Sequence, residues 1–535
     1  MGHAASAPWQ SRSRWLGALP LLFLSLVMVA PLLRLGIEAR TGAGWGMLAE
    51  LWRDDYLRWR IGWSLLQAAV TCVAALVLAL PISWVLARFH FPGRALVLRL
   101  LMLPFVVPTL VAAMGVLALW GPRGTVSQWF GIDLQDTPWL LLYGNLFFNL
   151  CLVVRAGVEA LGQVSAARVA AARTLGATPW RVFWRVEWPA ILPWMVSALC
   201  LVFLYCLSGF GLALVLGGQR YATVEVEIYT LVAHELKLAQ AGVLALFMAL
   251  LTGLIALAYA WVEQRLAAPG RADTIALRRP AGLGPWCAVA GALSVLGFFC
   301  AAPLLAIAIR AAGAGLEAWS HVFDVQSLQA IWNTVRFTTM ALVLATVLGV
   351  THALAARRSV WLRASAFLPF IVSPVTVAFG LLLMYPRWSA SLMMLVAAYA
   401  LLAYPFVAKS LGAALDVLPE HLTQAARSLG ATPWRLFWRV TLPLVLPSLR
   451  RGMAFAAATA LGEFAVTLFL SRPEWATLTT LIYERLGRPG AGNRDDALVL
   501  AAVLMLLSLL AFLLIEQPGS TRRDVAVGPA GVAHA

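Results

Sequence analysis

A 22-residue stretch of this chain is written twice, and that duplication limits its architecture more than any other feature. Residues 172–193 read ARTLGATPWRVFWRVEWPAILP and residues 426–447 read ARSLGATPWRLFWRVTLPLVLP, identical at 16 of 22 positions with a constant offset of 254. A repeat fixes the number of structural units before any finer reading. Each copy is a polar, Arg-rich island between long apolar runs. Hydrophobic residues make up 61% of the chain and charged ones 12%, more apolar surface than a water-soluble chain can hide. Lipid is the solvent this composition implies, at about 20 apolar residues per span.

Twelve spans are expected, near 16–36, 62–87, 97–120, 138–158, 191–216, 241–262, 284–309, 331–355, 364–385, 390–411, 444–470 and 496–515. Six spans separate the two copies, so both halves run the same way and form a parallel repeat. The fold class is therefore all-α and polytopic, with about 12 membrane helices in two parallel six-helix halves. The units fall at 1–61, 62–265, 266–330, 331–516 and 517–535. The first holds the N-terminal end, first span and outer loop. The second and fourth are the repeated halves, the third is a linker with the seventh span, and the last is a tail.

A net charge of +16 would suggest nucleic acid in a soluble protein. Here the arginines cluster in alternate short loops (Arg12/Arg14, Arg88/Arg94, Arg271/Arg278/Arg279, Arg357/Arg358/Arg363, Arg522/Arg523 and the two islands). That pattern is the orientation signal of a membrane protein. It places both islands and both termini in the cytoplasm and gives no reason to expect a nucleic-acid partner. The first apolar run is about 20 residues long with no small-residue cleavage site close behind it, so it is expected to stay as a span. The six cysteines lie in or beside apolar runs without metal-ligand spacing and read as small hydrophobes.

The repeat extends beyond the islands. Leu103–Phe105 recurs as Leu368–Phe370, and Phe210, Ile228 and Tyr229 recur as Phe464, Ile482 and Tyr483. Within each island the local chemistry is that of a helix, a turn and a second helix. Gly176 and Gly430 suit the left-handed position after a helix. Thr178 and Thr432 can cap the next helix, with Pro179 and Pro433 at its first position. Trp180, Phe183 and Trp184 then share one face, and Arg181 and Arg185 another. The second copy repeats this with Trp434, Trp438, Arg435 and Arg439. Pro189 and Pro193, matched by Pro443 and Pro447, are expected to break the short helix before the next span. Such a helix could rest in the lipid headgroups. A specified turn duplicated with its side chains points instead to a surface read by another protein.

The islands resemble the EAA signature of ABC-importer permeases. The register is carried by Ala171, Ala172, Gly176, Val186 and Pro189, and again by Ala425, Ala426, Gly430, Val440 and Pro443. The leading Glu of that signature is absent from both copies, and Trp188 replaces an aliphatic residue in the first. Within the fused two-half members, the chain is similar to thiamine/thiamine-pyrophosphate importer permeases. The stretches concerned include WRDDYLRW at 52–59, FPGRALVLRL at 91–100 and FFNLCLVVR at 147–155.

The resemblance implies a type I importer architecture, with islands that couple to a separate ATPase subunit present in two copies. It also implies a periplasmic substrate-binding protein, a bacterial inner-membrane location, and thiamine or its phosphates as cargo. Iron(III) or another small solute is the nearest alternative. It implies no enzyme activity in this chain and no cofactor bound by it, ATP and magnesium belonging to the partner. The absence of a Gly-x-x-x-x-Gly-Lys-Ser/Thr loop agrees with that division. An ion-coupled secondary transporter is the alternative of a different class. It would need intramembrane acids arranged as an ion site and gives no reason for two islands.

Several polar residues fall inside spans. Glu463 lies deep in the eleventh, opposite Gly209 in the first half, and is either a pore-lining acid or a structural carboxylate. With Ser208, Phe210 and Phe464 it forms the candidate substrate path. Asn145 and Asn149 are expected to bond between helices, and Arg155 and Lys409 to snorkel at span ends. Tyr229, Tyr483, Glu225 and Glu227 are expected on the outer side, either where a binding protein docks or in an ordinary loop. No catalytic triad or metal-ligand set is evident.

Overall fold

Lipid offers no hydrogen-bond partners, so every span must satisfy its own backbone, and helices do that alone. The computed structural model describes residues 9–43, 46, 53–265, 275–357, 359–388, 391–470 and 472–515, and among these it holds helices and one isolated β-bridge. The tail 517–535, Glu50, Arg271, Arg358, Arg522 and Arg523 lie outside the described residues, as do the side chains of Arg12 and Arg14.

A first span, α1 (Leu16–Thr41), precedes the first half. That half runs through α2 (Asp55–Arg88), α3 (Thr109–Trp120), α4 (Pro138–Gly162), α5 (Ala166–Thr174), α6 (Pro179–Leu207), α7 (Phe210–Leu216), α8 (Val224–Ala233) and α9 (Leu238–Arg265). Next comes α10 (Leu283–Gly313). The second half repeats the order as α11 (Val325–Ala356), α12 (Pro374–Met384), α13 (Leu392–Asp416), α14 (Glu420–Ser428), α15 (433–461), α16 (Ala465–Leu470), α17 (Leu478–Gly487) and α18 (Ala491–Ile515).

Among the described residues, ten helices are long and apolar enough to cross a membrane. An eleventh appears if Trp361–Phe370 and Pro374–Met384, bent by 95°, count as one span. All twelve expected regions are helical. The eleventh, at 444–470, misses the apolar criterion because Arg450 and Arg451 stand together within α15 and the helix breaks at Gly462–Phe464. The fifth run also breaks, at Ser208–Gly209, before α7 begins.

Each of the two extra spans packs on both halves, α1 on α9 of the first as well as on the second, and α10 on α18 of the second as well as on the first. The span α1 packs on the second half, where the Tyr385 hydroxyl donates to the Leu26 carbonyl at 3.0 Å and Phe23 meets Tyr404 edge-on. The span α10 packs on α3 and α4 of the first. A Cβ on Gly115 would lie 2.7 Å from the Pro303 carbonyl oxygen, and the Cys151 and Cys300 sulfurs are 3.0 Å apart. Close backbone approach through small residues is how membrane helices gain packing contact.

At the end of the molecule away from the islands, each half pins the loop before a short helix, α8 or α17, in the same way. Ser64 on α2 accepts from the Val224 amide, and Thr334 on α11 accepts from the Leu478 amide, both at 2.9 Å. Arg60 donates to the carbonyls of Gln219, Arg220 and Ala222 and pairs with Glu227, which also accepts from Tyr56 at 2.8 Å. In the second half Asn333 reaches the carbonyls of Glu474 and Ala476, and Gln329 reaches that of Glu474 too, with no charged pair among them. Arg60→Ala strands the buried Glu227 carboxylate, which costs about 3–5 kcal/mol. Asn333→Ala removes neutral bonds at about 1–3 kcal/mol. Thermal unfolding of the purified variants should show the larger drop for Arg60→Ala; equal drops would contradict the ion-pair account.

Candidate functional site

Both islands stand at one end of the helical body and are built alike. In the first, α5 ends in a Schellman turn: the Ala177 amide donates to the Ala172 carbonyl at 3.1 Å and the Gly176 amide to Arg173 at 2.9 Å. The second ends α14 the same way, Ala431 to Ala426 at 3.0 Å and Gly430 to Arg427 at 2.9 Å. Gly176 and Gly430 both have φ of +79°, where a Cβ carries a steric cost. Thr178 accepts from the Arg181 amide, and Thr432 from Arg435, each at 3.4 Å.

The prolines do not break the chain where the sequence suggests. A π turn spans Phe183–Glu187, and another Phe437–Thr441, so each short helix continues into its span. A π turn bonds each amide one residue further back. Here Trp188 and Leu442 reach the Phe183 and Phe437 carbonyls, and Pro189 and Pro443 sit in the first turn of the following helix, where no amide is needed. The island is therefore the tip of α6 or α15 rather than a short helix broken off before its span.

The side chains match across the copies. Leu175 and Leu429 are 87% and 88% exposed, and Trp180 and Trp434 are 70% and 69% exposed. Trp180 meets Trp184 with ring centroids 5.5 Å apart, and Trp434 meets Trp438 at 5.4 Å. Arg181, Arg185, Arg435 and Arg439 are exposed beside them, as are Thr178, Thr432, Pro179, Ala171 and Ala425, with Ala172 and Ala426 half-buried. Each tip presents Leu, two tryptophans and two arginines outward.

One difference separates the copies. Glu187, buried in the first π turn, accepts from the Arg88 guanidinium at 2.7 Å, tying the island to the end of α2. The corresponding residue in the second copy is Thr441. The linker joins this tie, because the Arg278 amide donates to the Arg88 carbonyl at 2.9 Å and the His90 amide to the Arg278 carbonyl at 2.8 Å.

Between the halves, the repeat-related aromatics meet each other. The rings of Phe210 and Phe464 stack at 5.8 Å, flanked by Tyr229 at 5.5 Å and Tyr483 at 5.3 Å. A second cluster joins Phe105 and Tyr205 of the first half to Phe406 and Phe455 of the second, with Phe370 against Phe406. The Leu-Pro-Phe repeat marks two of these rings in the sequence. The other three carry no local signal, since an aromatic in an apolar run looks like any core residue.

Glu463 sits in the break between α15 and α16. Its carboxylate accepts from the Val466 amide at 3.0 Å, and its carbonyl accepts from Tyr399, Thr467 and Thr479. Ser208, at the matching break, turns its hydroxyl back onto the Leu204 carbonyl at 2.6 Å. Capping by Glu463 is worth about 0.5–2 kcal/mol. Glu463→Gln keeps an acceptor and should leave transport within about threefold, whereas Glu463→Ala should lower thermal stability by that capping energy. A transport loss in Glu463→Gln at unchanged stability would instead make the acid a cargo contact.

Asn145 donates to Gln67 across α4 and α2 at 2.6 Å, and Asn149 to the Asn145 carbonyl at 2.9 Å. Arg155 pairs with Glu159 at 2.9 Å, and the Lys409 ammonium lies 4.0 Å over the Phe367 ring. Glu225 and Glu227, expected on an outer surface, are buried: Glu225 accepts from Ser373 of the second half at 2.6 Å, and Glu227 faces Arg60. A docking partner would not reach either.

The family model described as the binding-protein-dependent transport system inner membrane component matches the chain twice, at residues 79–268 and 340–517. The thiamine transport system permease protein ThiP of Salmonella typhimurium is 28% identical over 92% of this chain and 94% of its own length. That of Escherichia coli is 28% identical over 88% and 90%. That of Brucella abortus is 29% identical over 95% and 96%.

Proposed function

From a chain that belongs to the family of binding-protein-dependent transport system inner membrane components, and is an ABC-importer permease with both halves fused, we propose a thiamine importer. The chain forms the whole translocation path for thiamine or its phosphates, delivered by a periplasmic binding protein. It docks two copies of a separate ATPase, which holds ATP and magnesium. The island end and both termini face the cytoplasm.

The observation that carries this reading is the pair of equally built, equally exposed tips at one end of a two-half body. Two matched tips suit two matched grooves on a dimeric partner. Closure of that dimer moves the tips, and because each tip is continuous with α6 or α15 the motion passes directly into the span. The tips bracket breaks at Ser208–Gly209 and Gly462–Phe464 that let α7 and α16 reorient about the Phe210–Phe464 contact. An aromatic boundary between the halves suits a flat cationic heterocycle such as thiamine, through stacking and cation–π attraction. The relatives named above carry thiamine transport in their names.

The test is uptake into proteoliposomes holding this chain with its ATPase and binding protein. Labelled thiamine should accumulate only with ATP, and unlabelled thiamine should compete while iron(III) should not. Competition by iron(III) alone would replace the cargo and keep the importer. Accumulation driven by an ion gradient without ATP would sink both.

A further inference from the structure

We propose that a cavity at the end of the molecule opposite the islands is a binding site for a phospholipid headgroup carrying both a phosphate and an ammonium. The cavity, about 270 Å³, lies between α3, α4, α7 and α10 on one side and α17 and α18 on the other. Its charged lining is Arg123, Arg310, Arg494, Asp136 and Asp495, and its floor is apolar, from Met114, Leu117 and Leu498.

Arg123, Asp136 and Arg494 are exposed and Asp495 half-buried, and among the described residues none of the four bonds or pairs with another side chain. Arg310 is held in place by donating to the Arg123 carbonyl. Five charged groups thus share one cavity with little of their bonding capacity used internally. A ligand of mixed charge satisfies both signs. Guanidinium forks match phosphate oxygens, and the two carboxylates match an ammonium. A purely anionic head would bring its charge beside Asp136 and Asp495.

The position selects lipid over a soluble phosphate. Arg123, Arg310 and Arg494 stand near the ends of three membrane-crossing helices. The adjoining segment exposes Trp129 (84%), Phe130 and Trp139, the aromatic belt expected at headgroup depth. From Trp120, the last residue of α3, to Met114 on the floor is about 9 Å at 1.5 Å per helical residue. That depth admits a headgroup with the first carbons of its acyl chains lying on Leu117 and Met114. The site touches both halves, so an occupied cavity bridges them at the end remote from the ATPase.

The experiment uses the full chain in nanodiscs of equal phosphatidylethanolamine and phosphatidylglycerol, followed by delipidation and native mass spectrometry. The protein should retain phosphatidylethanolamine in preference to phosphatidylglycerol. The Arg123→Ala/Arg494→Ala variant should lose that retention about tenfold or more, as expected for two charge-assisted contacts. Arg58→Ala, an exposed arginine at the same end, should retain the lipid as the parent does. Millimolar O-phosphoethanolamine should fail to displace the lipid. Equal retention by parent and double variant, equal retention of the two lipids, or displacement by the free headgroup would each overturn the assignment. None of these readouts depends on which cargo is carried.

Discussion

Replacing both Gly176 and Gly430 with valine should abolish substrate-stimulated ATP turnover and uptake while leaving the chain inserted and folded. Both glycines hold φ of +79° at the hinge of a Schellman turn. A β-branched residue in that region costs about 1–2 kcal/mol or more. Nothing lies within 4 Å of a Cβ built at either position, so the substitution does not collide with the helical body. The strain is relieved by re-aiming the exposed tip, and the Trp180 and Trp434 pairs no longer meet their partner. Uptake should fall at least tenfold with thermal stability nearly unchanged, because tip exposure means little packing is lost. Gly→Asn at both sites should restore most of the activity, since Asn tolerates the left-handed region. Full turnover in the double valine variant would remove the tips from the coupling route.

Breaking the Arg88–Glu187 pair should give the largest stability effect on the island side, and on one half only. Glu187→Ala leaves the half-buried Arg88 guanidinium without its counter-charge, a loss of up to about 3 kcal/mol. Thr441→Ala, at the corresponding place in the second copy, removes at most one neutral bond, about 1 kcal/mol. The Arg88 backbone also carries a bond to the linker at Arg278, so an α2 end released by the tip holds the linker less firmly. Limited proteolysis of the linker should therefore accelerate in Glu187→Ala and not in Thr441→Ala. Exchanging the pair as Arg88→Glu/Glu187→Arg should recover part of the loss. Equal effects in the two halves would show that the pair does not fasten the first tip.

The architecture was legible because lipid makes helix formation obligatory and because the island is duplicated. Apolar runs locate helices, and a constant offset of 254 locates the two halves. The turn chemistry of Gly176, Thr178 and Pro179 could also be read residue by residue, since each acts on its own backbone. What the sequence hid depends on partners distant in the chain. Pro189 reads as a helix breaker, yet a π turn absorbs it, because a helix firmly packed further on outweighs one missing amide. Glu463 reads equally as a pore-lining acid or a structural carboxylate, and only the break in the helix brings the Val466 amide onto its carboxylate. Glu225 reads as a surface residue of a polar loop, and only the fold brings Ser373 to it from 148 residues away. The packing of α1 and α10 against both halves leaves no trace in composition at all.

The central claim is that one chain supplies both halves of the path and both docking tips. It is tested most directly by purifying the complex intact and measuring its subunit ratio together with its ATP dependence. The account predicts one copy of this chain with two copies of an ATPase, and uptake that stops when ATP hydrolysis is blocked. An ATPase ratio of one to one, or uptake that continues without hydrolysis, would contradict it.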